Sequence, residues 1–232
     1  MHKSVPVTMI TGLMLLLAAH MAAAQSRPTV VELYTAEGCS SCPPAEEQIG
    51  KLSHMDDILA LAFHVDYWDD LGWRDRFELP EATARQQQYA HTLHLQSVYT
   101  PQLVIDGKRD LVGGRAGVGG GRKKSVPLQV SVNDGAVVVA LGAQAQPVAC
   151  DVLLLGYLPE ATSKVTRGEN AGHDLHEFNI VRSMRNLGTW QGEERTFSVP
   201  LANIAPDATE VAVLVQQRDQ GPIIGATSRT LR

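Results

Sequence analysis

Two cysteines, Cys39 and Cys42, stand three positions apart in the stretch "VVELYTAEGCSSCPPAEEQIGKL". At that spacing on a first helical turn, two sulfurs come close enough to make and break one bond, as a redox dithiol requires. The same pair can clamp a soft metal as two thiolates or form a short structural disulfide. A sulfur at a helix N-terminus lies near unpaired backbone N–H groups, which favour thiolate over thiol, and thiolate is the attacking species. Cys39, on the loop side, is expected to be exposed and nucleophilic. Cys42 is expected to face inward and close the internal disulfide that releases a substrate thiol.

Other chemistry-bearing residues are less ordered in their spacing. "HVDYWDDLGW" concentrates His64, Asp66, Tyr67, Trp68, Asp69, Asp70 and Trp73 just after an apolar run. Its aromatic residues suit one wall of a peptide groove, or equally a packed loop covering a sheet. His64 with Asp66 or Asp69 makes no recognised ligand set with the cysteines. His91, His94, His173 and His176 fall in pairs three apart without reason to meet the thiols. Cys150, at the head of "CDVLLLGYL", reads as a small buried hydrophobe.

The elements around the cysteine pair follow from apolar periodicity. "TVVELYT" and "ILALAFHV" are continuous β-rich runs, the pattern of strands covered on both faces. Between them "PPAEEQIGKLSHM" places Ile49 and Leu52 on one helical face, with Glu46 and Glu47 near the positive end of the helix. Pro43 and Pro44 fit a helix that begins around Cys42 or Pro43. "LPEATARQQQYAHTLHL" reads as a second helix, and "TPQLVIDG" with "RDLVG" as a hairpin broken at Gly107. The glycine-rich run 114–125 interrupts this order and reads as a linker. Beyond it, "PLQVSVNDGAVVVALG" is a hairpin on Asn133-Asp134-Gly135, followed by strand-like runs at the spacing of a β-sandwich. The other arrangement open to these strands is that one or two of them extend the first sheet.

The chain has 232 residues with a formal net charge of −5, an acidic balance that argues against nucleic acid as partner. Residues 1–24 have the basic start, apolar run and small-residue end of a secretory leader, whose removal takes away only Lys3 among charged residues. No later stretch is apolar and long enough to span a bilayer, so no stable membrane insertion is expected after cleavage. The chain total of 3 cysteines is too few for a disulfide scaffold, and export places the close pair where a disulfide persists.

The strand-CxxC-helix unit, a further strand and helix, and then Thr100-Pro101 entering a hairpin together resemble the thioredoxin fold. That resemblance implies a cis Pro101 facing Cys39, with the backbone of Thr100 free to pair with an extended peptide. Glu32 resembles, one position out of register, the buried acid beneath the thioredoxin cysteines, and is a candidate proton acceptor for the resolving thiol. "VVELYTAEGCSSCPPAE", "FHVDYWDDLGWRDRF", "VYTPQLVIDG" and "VTRGENAGHDLHEFNIVR" resemble successive hallmarks of the DUF1223 family of exported thioredoxin-like proteins. The family resemblance implies a thioredoxin-like N-terminal domain joined to a C-terminal β domain; with the linker and strand spacing above, the expected organisation is an α/β thioredoxin-like domain over 25–113, the linker 114–125 and a mostly antiparallel, sandwich-like β domain over 126–232. Two departures from thioredoxin stand out: Gly38 before the first cysteine with Ser40-Ser41 between the pair, so its redox potential is not transferable, and a glycine-rich, basic stretch around Ala116 to Ser125, where the last thioredoxin helix would fall.

The functional expectation is a periplasmic or secreted thiol–disulfide oxidoreductase acting on protein or peptide thiols. Its site residues are Cys39, Cys42, Thr100, Pro101 and Glu32; it needs no dissociable cofactor, and a redox partner protein completes its cycle. The rival readings are a thiol metallochaperone and a non-enzymatic envelope-binding module whose cysteines form a permanent staple.

Overall fold

The computed structural model describes residues 25–69, 72–114, 117–145 and 148–231. The expected leader and Asp70 lie outside the described residues. Strand makes up 46% of the described residues and helix 14%, which does not fit an α/β domain followed by a separate sandwich. One sheet of eight strands runs through both halves instead.

The chain forms β1 (Ser26–Arg27), β2 (Thr29–Thr35), α1 (Pro43–Ser53), β3 (Ile58–His64), α2 (Pro80–Thr92), and the hairpin β4 (Gln102–Ile105) and β5 (Arg109–Val112). After β6 (Lys123–Lys124) come β7 (Leu128–Asn133), β8 (Ala136–Leu141), β9 (Cys150–Lys164), β10 (Asp174–Trp190), β11 (Arg195–Pro200), β12 (Glu210–Gln217) and β13 (Ile223–Thr230). The large sheet has the order β13-β12-β9-β10-β3-β2-β4-β5. A second sheet, β11-β8-β7, covers part of it, and β6 pairs with β1.

The join between the halves is β10. It runs parallel to β3, with Ile180 opposite Ala62, and antiparallel to β9 along most of its length. Left alone, β3 would end the first sheet with a row of unpaired N–H and C=O groups; β10 pairs with it at Ile180 and Ala62, and the Asn179 side-chain amide donates to Ala60 O at 2.8 Å. Ile180 and Val181 are adjacent in sequence and both fully buried, as a strand covered on two faces requires. Register shifts between Val181 and Ser183 and between Asn186 and Gly188 bend the strand as it passes from one neighbourhood to the other.

Alternation along the strands sorts the core. On one face α2 packs Ala82 and Tyr89 against Tyr34, Leu61, Phe63, Leu155 and Leu214. On the other face α1 packs Ala45, Ile49 and Leu52 against Val31, Leu33, Ala60 and Leu103. That same face, beyond β10, carries the three-stranded sheet, where Val137, Val139 and Leu141 meet Val152, Leu154, Val213 and Trp190. Cys150 lies fully buried in this last cluster, and burial together with Asp151 pushes its thiol pKa up to about 11. Among the described residues no helix is long and apolar enough to cross a membrane.

Candidate functional site

β2 delivers the chain to a turn in which the Cys39 N–H donates to Ala36 O at 3.1 Å and the Cys42 N–H to Cys39 O at 3.1 Å. Pro43 then opens α1, where a missing N–H does no harm, and Cys42 is its N-cap residue. Cys39 and Cys42 form a disulfide with their Cα atoms 5.4 Å apart. The Thr100–Pro101 peptide is cis. A Cβ on Gly113 would lie 2.8 Å from Ala45 Cβ and 3.1 Å from Pro101 Cβ, so one glycine separates Pro101 from the first turn of α1. Trp68 links the two parts, with its indole N–H donating to Thr100 Oγ1 at 2.9 Å while its Cβ lies against Gly38. Cys39, Cys42, Thr100 and Pro101 therefore share one end of the sheet.

The expected exposure of Cys39 is corrected. Cys39 is 0% exposed and Cys42 1%, while Ser40 and Ser41 between them face solvent. Both cysteines pack in the core cluster with Ala36, Phe63 and Val65, and the loop between β9 and β10 is fastened to the same turn. Its Asn170 side-chain amide donates to Glu37 O at 2.8 Å and to Cys39 O at 3.0 Å. The neighbouring Glu169 carboxylate accepts from the Ser40 hydroxyl at 2.7 Å and from its backbone N–H at 3.2 Å.

Glu32 occupies the α2 face of β2. It accepts from Arg85 at 2.6 and 3.1 Å, from the Tyr89 hydroxyl at 2.6 Å and from the Tyr34 hydroxyl at 3.3 Å. A carboxylate held by a buried guanidinium and two phenols is an ion-pair anchor between β2 and α2. It is not among the residues lining the cavity beside Cys42.

That cavity, of ≈ 120 Å³, opens on the α1 face, and Cys42, Glu46, His64, Glu37 and Glu177 contribute to its walls. His64 Nδ1 is 2.7 Å from Asp75 Oδ2, and the same carboxylate accepts from the backbone N–H groups of Glu37 and Phe77, each at 2.8 Å. With Nδ1 donating to Asp75, Nε2 of His64 points towards Glu46 Oε1, 4.0 Å away. Nε2 of His64, both Glu46 oxygens and one oxygen each of Glu37 and Glu177 are buried without a hydrogen-bond partner among the described residues. Burial alone would lower the His64 pKa, but Asp75, Glu46 and Glu177 outweigh it and raise it to about 10. Burial raises Glu177 to about 8 and also raises Glu46, in both cases against the pull of His64. Burial works against ionised Asp75 too, yet the His64 charge and hydrogen bond hold its pKa below the ordinary value.

Sequence reasoning placed the sulfurs and the proline but missed this cluster. Its signals are Glu46, one helical turn beyond Cys42, and His64, a polar residue closing a buried apolar strand. Among the described residues no group of three or more His, Cys, Asp or Glu is arranged to hold a metal ion.

A crystal structure of a protein from Agrobacterium tumefaciens is similar to this chain with a TM-score of 0.75 and 28% identity, covering 90% of this chain and 97% of that one. No curated protein matches. A family described as a protein of unknown function matches residues 30–216, which include the disulfide, the cis peptide and the β9–β10 loop. The chain belongs to the DUF1223 family.

Proposed function

We propose that the chain is an exported thiol–disulfide exchange protein acting on protein or peptide thiols, with Cys39 carrying the mixed disulfide and Cys42 resolving it. The observation that carries this reading is the Cys39–Cys42 disulfide at the start of α1, with Gly113 lying between Pro101 and Ala45 of the first turn of that helix. Helix-start N–H groups stabilise a leaving or attacking thiolate. The proline offers no N–H, which leaves the Thr100 backbone to pair with an extended peptide laid beside the sulfurs. Because both sulfurs are covered, exchange requires the β9–β10 loop to move outward first. The leader pattern supports export, as does a disulfide of a kind that persists in oxidising compartments.

The burial of both sulfurs favours a second reading, a permanent staple in a binding module. Equilibration of the pair in glutathione buffers separates the two. A potential between about −120 and −230 mV supports exchange, and one below about −300 mV supports the staple. A Cys42→Ala variant should accumulate mixed disulfides on Cys39 in the first case and none in the second.

A further inference from the structure

The cavity beside Cys42 holds more unpartnered polar atoms than a structural pocket needs. Buried polar groups are almost always paired, and each one left unpaired is destabilising. Here His64 Nε2, both Glu46 oxygens and Glu177 Oε1 have no close hydrogen bond among the described residues, on side chains no more than 7% exposed; Nε2 and Glu46 Oε1 face each other at 4.0 Å, and Thr35 and the Phe178 backbone act on Glu46 only loosely. The Glu32 anchor on the opposite face shows that this chain satisfies a buried carboxylate where its role is to hold elements together. A buried carboxylate without a close hydrogen bond, one helical turn from a sulfur and facing an oriented imidazole, is instead suited to exchange protons.

We propose that Glu46, positioned by His64 and Asp75, takes the proton from the Cys42 thiol when Cys42 resolves a mixed disulfide on Cys39. The inference rests on the exchange reading given above. Residues four apart on a helix lie on one face, the Glu46 N–H donates to Cys42 O at 3.1 Å, and both residues line the same cavity. In the step, the Cys42 S–H gives its proton to the Glu46 carboxylate, and the resulting thiolate attacks Cys39 Sγ. The Cys39–Cys42 bond forms, the bond from Cys39 to the substrate sulfur breaks, and the substrate leaves as a thiolate that is protonated in turn. The pair is oxidised by two electrons and the substrate disulfide is reduced by two. His64 and Asp75 are positioning residues: Asp75 fixes Nδ1 as the donor, and Nε2 faces Glu46 and sets how readily it accepts a proton.

The charged and titratable groups around Glu46 are Glu47 on α1, His64 on β3, Glu37 after β2, Asp75 before α2, and Asp174, His176 and Glu177 on β10. Negative charge dominates this set, which suits a site that receives protons more than one that binds an anion.

The test uses the reduced full-length protein and oxidised glutathione in stopped flow. At low glutathione disulfide the rate is second order and reports formation of the mixed disulfide. At high concentration it levels off and reports its resolution by Cys42. Glu46→Gln should leave the second-order phase near wild type, lower the plateau about 10²-fold and remove its acid-side pH inflection. Glu46→Asp should recover part of the plateau, and His64→Asn should lower the plateau and move the inflection with Glu46 intact. A plateau and pH profile unchanged in both Glu46→Gln and His64→Asn overturns the relay while leaving the exchange function standing. If wild-type protein shows no second-order phase at all, the exchange function itself fails. Should Glu46→Gln not fold, the His64→Asn plateau and inflection decide alone.

Discussion

Asn170 donates its side-chain amide to the backbone oxygen of Cys39, 131 residues earlier in the chain, at 3.0 Å. With the second bond to Glu37 O, one buried side chain ties the β9–β10 loop over the turn that carries the disulfide. Opening that loop is the step that would expose the sulfurs. Its cost therefore sets how fast an external thiol reaches them.

Asn170→Ala removes both bonds, each worth about 0.5–1.5 kcal/mol net. Reduction of the native disulfide by dithiothreitol, followed by thiol release, should accelerate about tenfold while the denaturation midpoint falls slightly. An unchanged reduction rate would mean that the loop does not gate access. Glu169→Gln, at an exposed position, should have a smaller effect in the same direction.

Glu32 and Arg85 form a buried ion pair with 0% and 4% side-chain exposure, and Tyr89 and Gln216 complete the network. Removing one partner leaves an uncompensated buried charge, at a cost of about 3–5 kcal/mol. Arg85→Met should lower the urea midpoint sharply. Because this network sits on the α2 face, the glutathione equilibrium of the cysteine pair should stay within error of wild type. A potential that moves with Arg85→Met would return Glu32 to the redox chemistry.

The cavity cluster predicts a stability that falls as pH rises. The folded pKa of His64, about 10, lies above its unfolded value of 6.5, so its contribution is complete below 6.5 and is lost as pH climbs through 10. Glu177 adds in the same direction: its folded pKa of about 8 exceeds 4.5, so the folded state binds the extra proton and stability declines between those values. Asp75, held below 3.8, contributes stability above that pH and loses it in acid. Denaturation at a series of pH values should show a maximum near pH 5, roughly, and a decline on the order of a few kcal/mol by pH 10. Glu177→Gln should flatten the lower part of the decline, and a flat wild-type profile from pH 5 to 10 would contradict the assignment.

The local elements were legible because their signals are local. Consecutive valines at Val30-Val31, prolines after Cys42, and Asn133-Asp134-Gly135 each fix an element within a few residues. The sulfur pair was legible for the same reason, and the cis Pro101 came from resemblance. Only the first part of β10, "HEFNIVR", reads as a strand; its continuation through "SMRNLGTW" carries two register shifts that erase the alternation, and nothing local signals its pairing with β3. Without that pairing the later strands read as a sandwich of their own, whereas β9, β10, β12 and β13 all belong to the large sheet. The cavity was hidden more deeply: Glu37, Glu46, His64, Asp75 and Glu177 come from five separate segments, and only the β10–β3 pairing brings Glu177 to the others.

The same strand supplies the last prediction. A Cβ on Gly50 would lie 2.8 Å from the Phe178 ring, so the glycine is what lets β10 lie against α1. Gly50→Ala should cost about 1–3 kcal/mol through overpacking, even though alanine is the better helix former. Adding Phe178→Leu should restore part of the loss, giving a coupling between the two positions in a double-mutant cycle. Since β10 belongs to both halves of the large sheet, β3 and β12 should lose amide protection in one cooperative event, in wild type and variant alike. Separate exchange of the two strands under denaturant would show that the halves fold independently and that β10 does not bind them into one unit.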